Sequence, residues 1–321
     1  RTKSYMRYYF ILLLSGLQLS CSSELLNKTD TSLLDVQIQK DTVSSVFLTP
    51  HFSAPTLPKT IKFADEEIDL SDIDIRERFD RELVVNNFWH SNTLFYFKRA
   101  NRWFPIMKKI LEEENVPIDF VYLAVIESGL DQVTSPSGAR GFWQFMAVTA
   151  EEHELLISDE IDERYHVEKS TRAAALYLKK AHNQFGSWIL AAAAYNRGKA
   201  GIERDMEYQY SSNFFDLHLN NETSRYVFRI LAVKHIMEHP KDYGFIVPNE
   251  TLYPEISIKR VTIENSIDDL PKWAIENGVN FKIFKKLNPW IISNKLTINP
   301  TEQIEVYLPD ENEQLQPYKR S

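Results

Sequence analysis

Apolar residues recur at helical spacing from Ile68 onward, through Phe79, Leu83, Phe88, Leu94, Phe97, Trp103, Met107 and Leu111, with acidic and basic residues between them. Such a period puts an apolar stripe on each of several amphipathic helices. Asn115-Val-Pro117 interrupts the run. Proline fits the first turn of a helix, where its missing N–H is no loss, so a new helix is predicted to start there. Further helical patterns cover Ser170 to Phe185, the alanine-rich Ser187 to Asn196, and Thr223 to Glu238, with Gly186 and Gly198 as stops. No strand alternation is visible before about residue 245, so residues 66–240 read as all-α. Beyond Pro248 the pattern changes. Ile256 to Val261 alternates as a strand does, Asp268 to Asn277 has a helical pattern, and Ile304 to Leu308 reads as a closing strand. The expected fold class is mainly α, a helical domain over 66–245 followed by a small α+β module over 255–310.

Ahead of the periodic region, Ser22 to about Asp65 is rich in Ser, Thr, Asp, Lys and Pro and has no sustained period, which reads as a tether. Residues 1–20 combine basic Arg1, Lys3 and Arg7 with an apolar run from Tyr8 to Leu14, the pattern of a cleaved export signal. The chain's one cysteine, Cys21, follows directly after the small Ser20. A single cysteine excludes an intramolecular disulfide. Its place resembles a bacterial lipobox, although Gln18 stands where that motif has Leu, so residues 21–65 are expected to form a lipidated N-terminus and tether.

Composition narrows the partners. With 43% hydrophobic and 26% charged residues the chain is globular. Its net charge of −8 argues against nucleic acid, which requires clustered Lys and Arg. Loss of the leader removes three basic residues and no acid, so the exported part is more acidic still. Aromatic residues make up 12%, including 6 Trp and 15 Tyr; they suit core packing first and sugar stacking second.

The strongest chemical signal begins at Pro117-Ile-Asp-Phe-Val-Tyr-Leu-Ala-Val-Ile-Glu127-Ser128-Gly129. On a helix Phe120, Leu123, Ala124 and Glu127 share one otherwise apolar face, which turns Glu127 inward. Gly129 is suited to end that helix, and both burial and the negative end of the helix dipole favour a protonated carboxyl. A neutral carboxylic acid near pH 7 is what protonation of a glycosidic oxygen requires. A helix-end Glu that reaches solvent is the plainer alternative. Three later segments tip the balance: the turn Ser135-Pro-Ser-Gly-Ala-Arg-Gly141 leading into Phe142-Trp-Gln144-Phe-Met146, then Ala194-Tyr195-Asn196-Arg-Gly198, then Asn221-Glu-Thr-Ser-Arg-Tyr226-Val227.

These four motifs, in this order, resemble the lytic transglycosylases with a goose-lysozyme-like fold, in the membrane-bound type D group. The resemblance covers roughly residues 68–240. Phe142 stands where the family has Leu, Arg197 where Ala is common, and the loop from Glu127 to Ser135 is one residue short. The resemblance implies that Glu127 is the single catalytic acid and base. It implies that Ser128, Ser135 and Gln144 hold substrate, that Tyr195 and Asn196 form a subsite and orient the Glu, that Tyr226 approaches the carboxyl through its hydroxyl, and that Met146 walls the cleft. It further implies non-hydrolytic cleavage between N-acetylmuramic acid and N-acetylglucosamine, in which the sugar's own C6 hydroxyl attacks and leaves a 1,6-anhydro end. An intramolecular nucleophile lets one carboxylate suffice where most glycosidases use two.

The C-terminal pattern, with Trp273-Ala274, Gly278-Val279 and Leu287-Asn288-Pro289, resembles a degenerate LysM domain, a βααβ glycan-binding unit. The partners so implied are peptidoglycan glycan strands and a membrane reached through the lipid anchor, with the protein a monomer in the periplasm on the outer membrane. No cofactor and no metal is expected: His235 and His239 are four apart but have no third ligand nearby. Two readings stay open beside the transglycosylase. One is a hydrolytic muramidase using a second carboxylate from Asp159-Glu-Ile-Asp-Glu163. The other is a silent peptidoglycan-binding scaffold whose cleft is blocked by the short loop or by Phe142.

Overall fold

A computed structural model of the chain describes residues 53–310. The leader, Cys21 and most of the tether lie outside the described residues.

The helical domain opens with a hairpin that sequence periodicity did not predict. Strands β1 (Thr60–Phe63) and β2 (Glu66–Asp69) pair antiparallel through a tight turn with positive φ at Ala64 and Asp65. Ile61, Phe63 and Ile68 bury themselves in the domain core. Folded structure therefore begins ahead of residue 66, inside the stretch that reads as tether. Each strand is only four residues, too short for alternation to stand out.

Helices α1 (Ile73–Phe88) and α2 (His90–Glu113) carry the long periodic run. A 3-10 turn at Ile118–Phe120, following Pro117, feeds the short α3 (Val121–Ser128). Val121 to Val125 are all buried, so α3 is apolar on every side and central. The remaining helices are α4 (Ala147–Glu151), α5 (Val167–Phe185), α6 (Trp188–Arg197), α7 (Lys199–Gln209) and α8 (Asn221–Glu238). Ser187 caps α6 by accepting from the Leu190 N–H, and Asn220 caps α8 by accepting from the Thr223 N–H. Gly186 and Gly198 end α5 and α6 with positive φ, as the sequence led us to expect. Ala191 to Ala194 are fully buried, and their small side chains let α5 and α8 approach α6 closely.

The C-terminal module is β3 (Ile258–Ile263), α9 (Leu270–Glu276), α10 (Phe281–Leu287) and β4 (Ile304–Pro309), with β3 and β4 antiparallel. Its own core gathers Leu270, Phe284, Ile291 and Val306. One member of that core, Ile161, comes from the helical domain and bridges to Ile291. Around it the Asp162 N–H donates to the Trp290 carbonyl at 2.8 Å and the Ile292 N–H to the Glu160 carbonyl at 2.8 Å. His166, buried against Trp290 at 4.1 Å between ring centroids, is held neutral, its pKa pushed down to about 3 by burial. The acidic run 159–163, which offered a second carboxylate in the sequence, is thus a seam between domain and module. Asp162 is fully buried and takes Arg164 at 2.7 Å and Arg140 at 2.8 Å.

Candidate active site

α3 delivers Glu127 at its last turn, and Gly129 closes the helix with φ 63° while donating its N–H to the Val125 carbonyl. The end of α3 packs against α8, which brings Tyr226 to Glu127: the phenol donates to Glu127 Oε1 in a short hydrogen bond. Burial pushes the Glu127 carboxyl up to about 7, against the Tyr226 hydrogen bond and the Arg229 charge, which both favour the anion. The carboxyl therefore changes protonation state within the neutral range. Burial, with the nearby Glu127 carboxylate, also lifts the phenols of Tyr226 and Tyr195 well above their ordinary value, so both stay protonated and act as donors.

Glu127 and Ser128 open onto a groove of about 410 Å³. Its other walls come from α1, α2 and α8, through Glu82, Asn86, Trp89, Tyr96, Arg225 and Arg229. Glu82 is almost wholly buried and accepts from Arg225 at 2.7 Å and Arg81 at 2.7 Å, with Arg229 at 3.9 Å. A carboxylate held by three guanidiniums is a charge anchor and not a free base. No residue of 159–163 lines this groove, and neither does Phe142, whose ring is buried against Trp103.

The remaining residues named from the sequence serve the frame around this groove. Ser128 Oγ lies 2.9 Å from the Phe142 carbonyl and 3.1 Å from the Ala124 carbonyl, tying α3 to the loop 133–146. Gln144 holds a left-handed backbone (φ 49°), and its amide donates to the Gly141 carbonyl at 2.7 Å and the Val133 carbonyl at 3.1 Å. Tyr195 donates to the Trp143 carbonyl at 2.8 Å. Asn196 Oδ1 accepts from Thr223 Oγ at 2.8 Å, joining the end of α6 to the start of α8 and so to Tyr226. Ser135 stays within its own turn, accepting from the Ala139 N–H at 3.0 Å. Met146 is 46% exposed at the N-terminus of α4 and lines none of the described cavities. The structure thus joins Glu127 to Tyr226 directly, sets Ser128 beside it, and places Gln144, Tyr195 and Asn196 as braces.

Sequence reading missed the wall formed by Glu82, Asn86, Arg225 and Arg229. Its signal was present: Glu82 and Asn86 on α1, and Arg225 and Arg229 on α8, are each four apart, and the first pair sits on the buried side of an amphipathic helix.

Fold and site together define the class: a helical domain whose groove holds a buried carboxyl poised near neutral pH, joined to a small βααβ module. Residues 105–217 match the family model of the transglycosylase SLT domain, and residues 259–312 match the soluble lytic transglycosylase C-terminal LysM-like domain. The helical domain thus resembles the SLT domain of lytic transglycosylases, and the C-terminal module resembles their LysM-like domain. Among curated proteins it is 28% identical over 228 residues to the membrane-bound lytic murein transglycosylase D of Escherichia coli K12, covering 69% of this chain and 49% of that protein. A putative tributyltin chloride resistance protein of Alteromonas sp. strain M-1 is 34% identical over 96 residues, 29% of this chain and 46% of that one. The chain spans about half the length of the curated relatives it matches. Among solved structures, an inactive mutant of the lytic transglycosylase Slt from Pseudomonas aeruginosa aligns with a TM-score of 0.37 at 22% identity, covering 47% of this chain and 26% of that chain.

Proposed function

We propose that the protein is a peptidoglycan lytic transglycosylase in which Glu127 is both acid and base. The observation that carries this reading is the Glu127 carboxyl, buried at a helix end, bonded to Tyr226 and poised at about 7 beside an open groove. Neutral Glu127 donates its proton to the oxygen bridging N-acetylmuramic acid and N-acetylglucosamine. The carboxylate so formed is stabilised by the Tyr226 hydroxyl and the Arg229 charge, then takes the proton of the C6 hydroxyl as that oxygen closes on C1 to give the 1,6-anhydro end. One group serves both steps because its protonated and ionised forms are of similar free energy at neutral pH.

Ser128, Gln144, Tyr195 and Asn196 keep the groove in shape through the bonds described, and Ser135 and Met146 are assigned to the outer substrate-binding surface. Among the described residues the other carboxylate lining the groove is Glu82, which Arg81 and Arg225 already engage, and this favours the intramolecular route over hydrolysis. The domain boundaries we adopt are 66–245 for catalysis, extended at its start by the hairpin, and 255–310 for the LysM-like module. Lipidation at Cys21, a monomeric state and a periplasmic place on the outer membrane complete the proposal; a relative described as membrane-bound supports membrane attachment. The test is Glu127→Gln: release of soluble muropeptides from purified sacculi should be abolished while sacculus binding is retained. Unchanged release would reject the assignment.

A further inference from the structure

On α1 and the elbow that follows it, Glu82, Val85, Asn86 and Trp89 fall at i, i+3, i+4 and i+7, and all four line the Glu127 groove. They grade from floor to rim. Glu82 and Asn86 are buried, whereas Val85 is 44% exposed and Trp89 is 55% exposed. The α3 side of the groove adds the half-buried Ile126 and Val133. A single apolar residue on a surface is ordinary. Val85 and Trp89, however, are one turn apart on the rim of a concave site that holds a titrating carboxyl.

Trp89 is held by its backbone and by its neighbours. It is the one residue between α1 and α2, with φ −87° and ψ 55°. Its carbonyl accepts from the Thr93 N–H at 3.0 Å, and the buried Thr93 donates through Oγ to the Asn86 carbonyl at 2.7 Å. The adjoining rings of Phe88 and His90 lie 6.0 Å apart, and His90 reaches Phe245 at 6.1 Å. Among the described residues no ring packs on the Trp89 indole itself. A fixed elbow with a free indole is a flat surface already in place, so little ordering is needed when a ligand settles on it.

The charges of the groove are engaged with one another. Arg225 bonds to Glu82 at 2.7 Å, and Arg229 lies 3.9 Å from Glu82 and 3.6 Å from Glu222. What the rim offers a ligand is apolar area above a polar floor. A pyranose fits that demand, because its C–H face is apolar and its edge carries hydroxyls; a ring of this kind stacks on an indole.

We propose that Trp89, with Val85 one turn below it, is a stacking platform for a sugar ring of the glycan strand, so that the α1–α2 elbow sets how tightly the strand is held beside Glu127. The identity of the strand rests on the peptidoglycan reading above; the platform rests on the exposed indole at the groove. Trp89 touches the substrate by its ring face and takes no part in either proton transfer. It therefore governs binding and leaves the chemical step alone.

The test is calorimetric titration of the full chain carrying Glu127→Gln, so that no turnover occurs, with peptide-free strands of alternating N-acetylglucosamine and N-acetylmuramic acid. Adding Trp89→Ala should weaken binding about ten-fold, and Trp89→Tyr should restore most of it. With Glu127 present, Trp89→Ala should raise KM for the same strands about ten-fold, with kcat and the alkaline limb of the pH profile unmoved. A merely structural role would lower kcat and would not be rescued by tyrosine. Far-ultraviolet circular dichroism checks folding. In the Glu127→Gln chain with Trp89 intact, the indole N–H resonance that Trp89→Tyr removes should shift as strands are added. Binding unmoved by Trp89→Ala, a fall in kcat at constant KM, or an indole resonance that only peptide-bearing fragments shift would overturn the inference. Strands left uncut by the wild type, yet bound in a Trp89-dependent way, would instead overturn the catalytic reading and leave the platform standing.

Discussion

Replacing Tyr226 with Phe keeps the ring that packs beside Glu127 and removes only the hydroxyl that bonds to its carboxyl. That hydrogen bond stabilises the anion, so its loss must raise the carboxyl pKa while desolvation is left in place. A hydrogen bond to a charged group contributes about 1.5–3 kcal/mol, and one pKa unit is about 1.4 kcal/mol, which gives a rise of about one to two units. From about 7, Glu127 should move to roughly 8–9. The assay is the pH profile of kcat/KM for anhydro-muropeptide release from sacculi. Its alkaline limb, where the acid form of Glu127 is lost, should shift upward by that amount. At pH 7 the variant should be slower, because the carboxylate formed after proton donation has lost its partner. An alkaline limb that stays put, or moves down, would refute the claim that Tyr226 acts through the Glu127 carboxyl.

Two further outcomes follow from the same geometry. The folded pKa of Glu127 lies above its ordinary value of 4.5, so its contribution to stability is fully present below about pH 4.5 and is lost as pH rises through 7, to the extent of about 3 kcal/mol. Glu127→Gln cannot ionise, and its melting temperature should exceed that of the wild type by about 5 °C or more at pH 8, with the gap closing near pH 4.5; an equal gap at both values would show that burial does not strain the ionised carboxyl. Gly141 has φ 78°, and a Cβ there would lie 1.9 Å from the Arg164 carbonyl oxygen, so Gly141→Ala should cost about 2–4 kcal/mol in urea unfolding and slow sacculus cleavage; a loss under about 1 kcal/mol would show that the loop yields.

The helices were legible where the side chains themselves carry the signal. Glu127 on an apolar face, Gly129 behind it, and the glycines at 186 and 198 each state a local geometry that needs no distant partner. What stayed hidden depends on partners far along the chain or on backbone atoms. The four-residue strands at 60–63 and 66–69 are stabilised by each other and by the core under them, so neither announces itself. Asp162 looks like one more acid in a solvated run, and only the arrival of Arg140 and Arg164 explains its burial. Gln144 reads as a substrate-facing amide, but its donors go to the carbonyls of Val133 and Gly141, which no side-chain pattern records. The groove wall at Glu82 was obscured because periodicity counts apolar positions, and a buried carboxylate among arginines breaks that count.

The claim that one carboxyl group serves both proton transfers is tested most directly by digesting sacculi in water enriched in oxygen-18 and weighing the released muropeptides. An intramolecular attack by the C6 hydroxyl leaves every new end as an unlabelled anhydro sugar. New reducing ends carrying the heavy isotope would mean that water is the nucleophile and that a second base acts with Glu127.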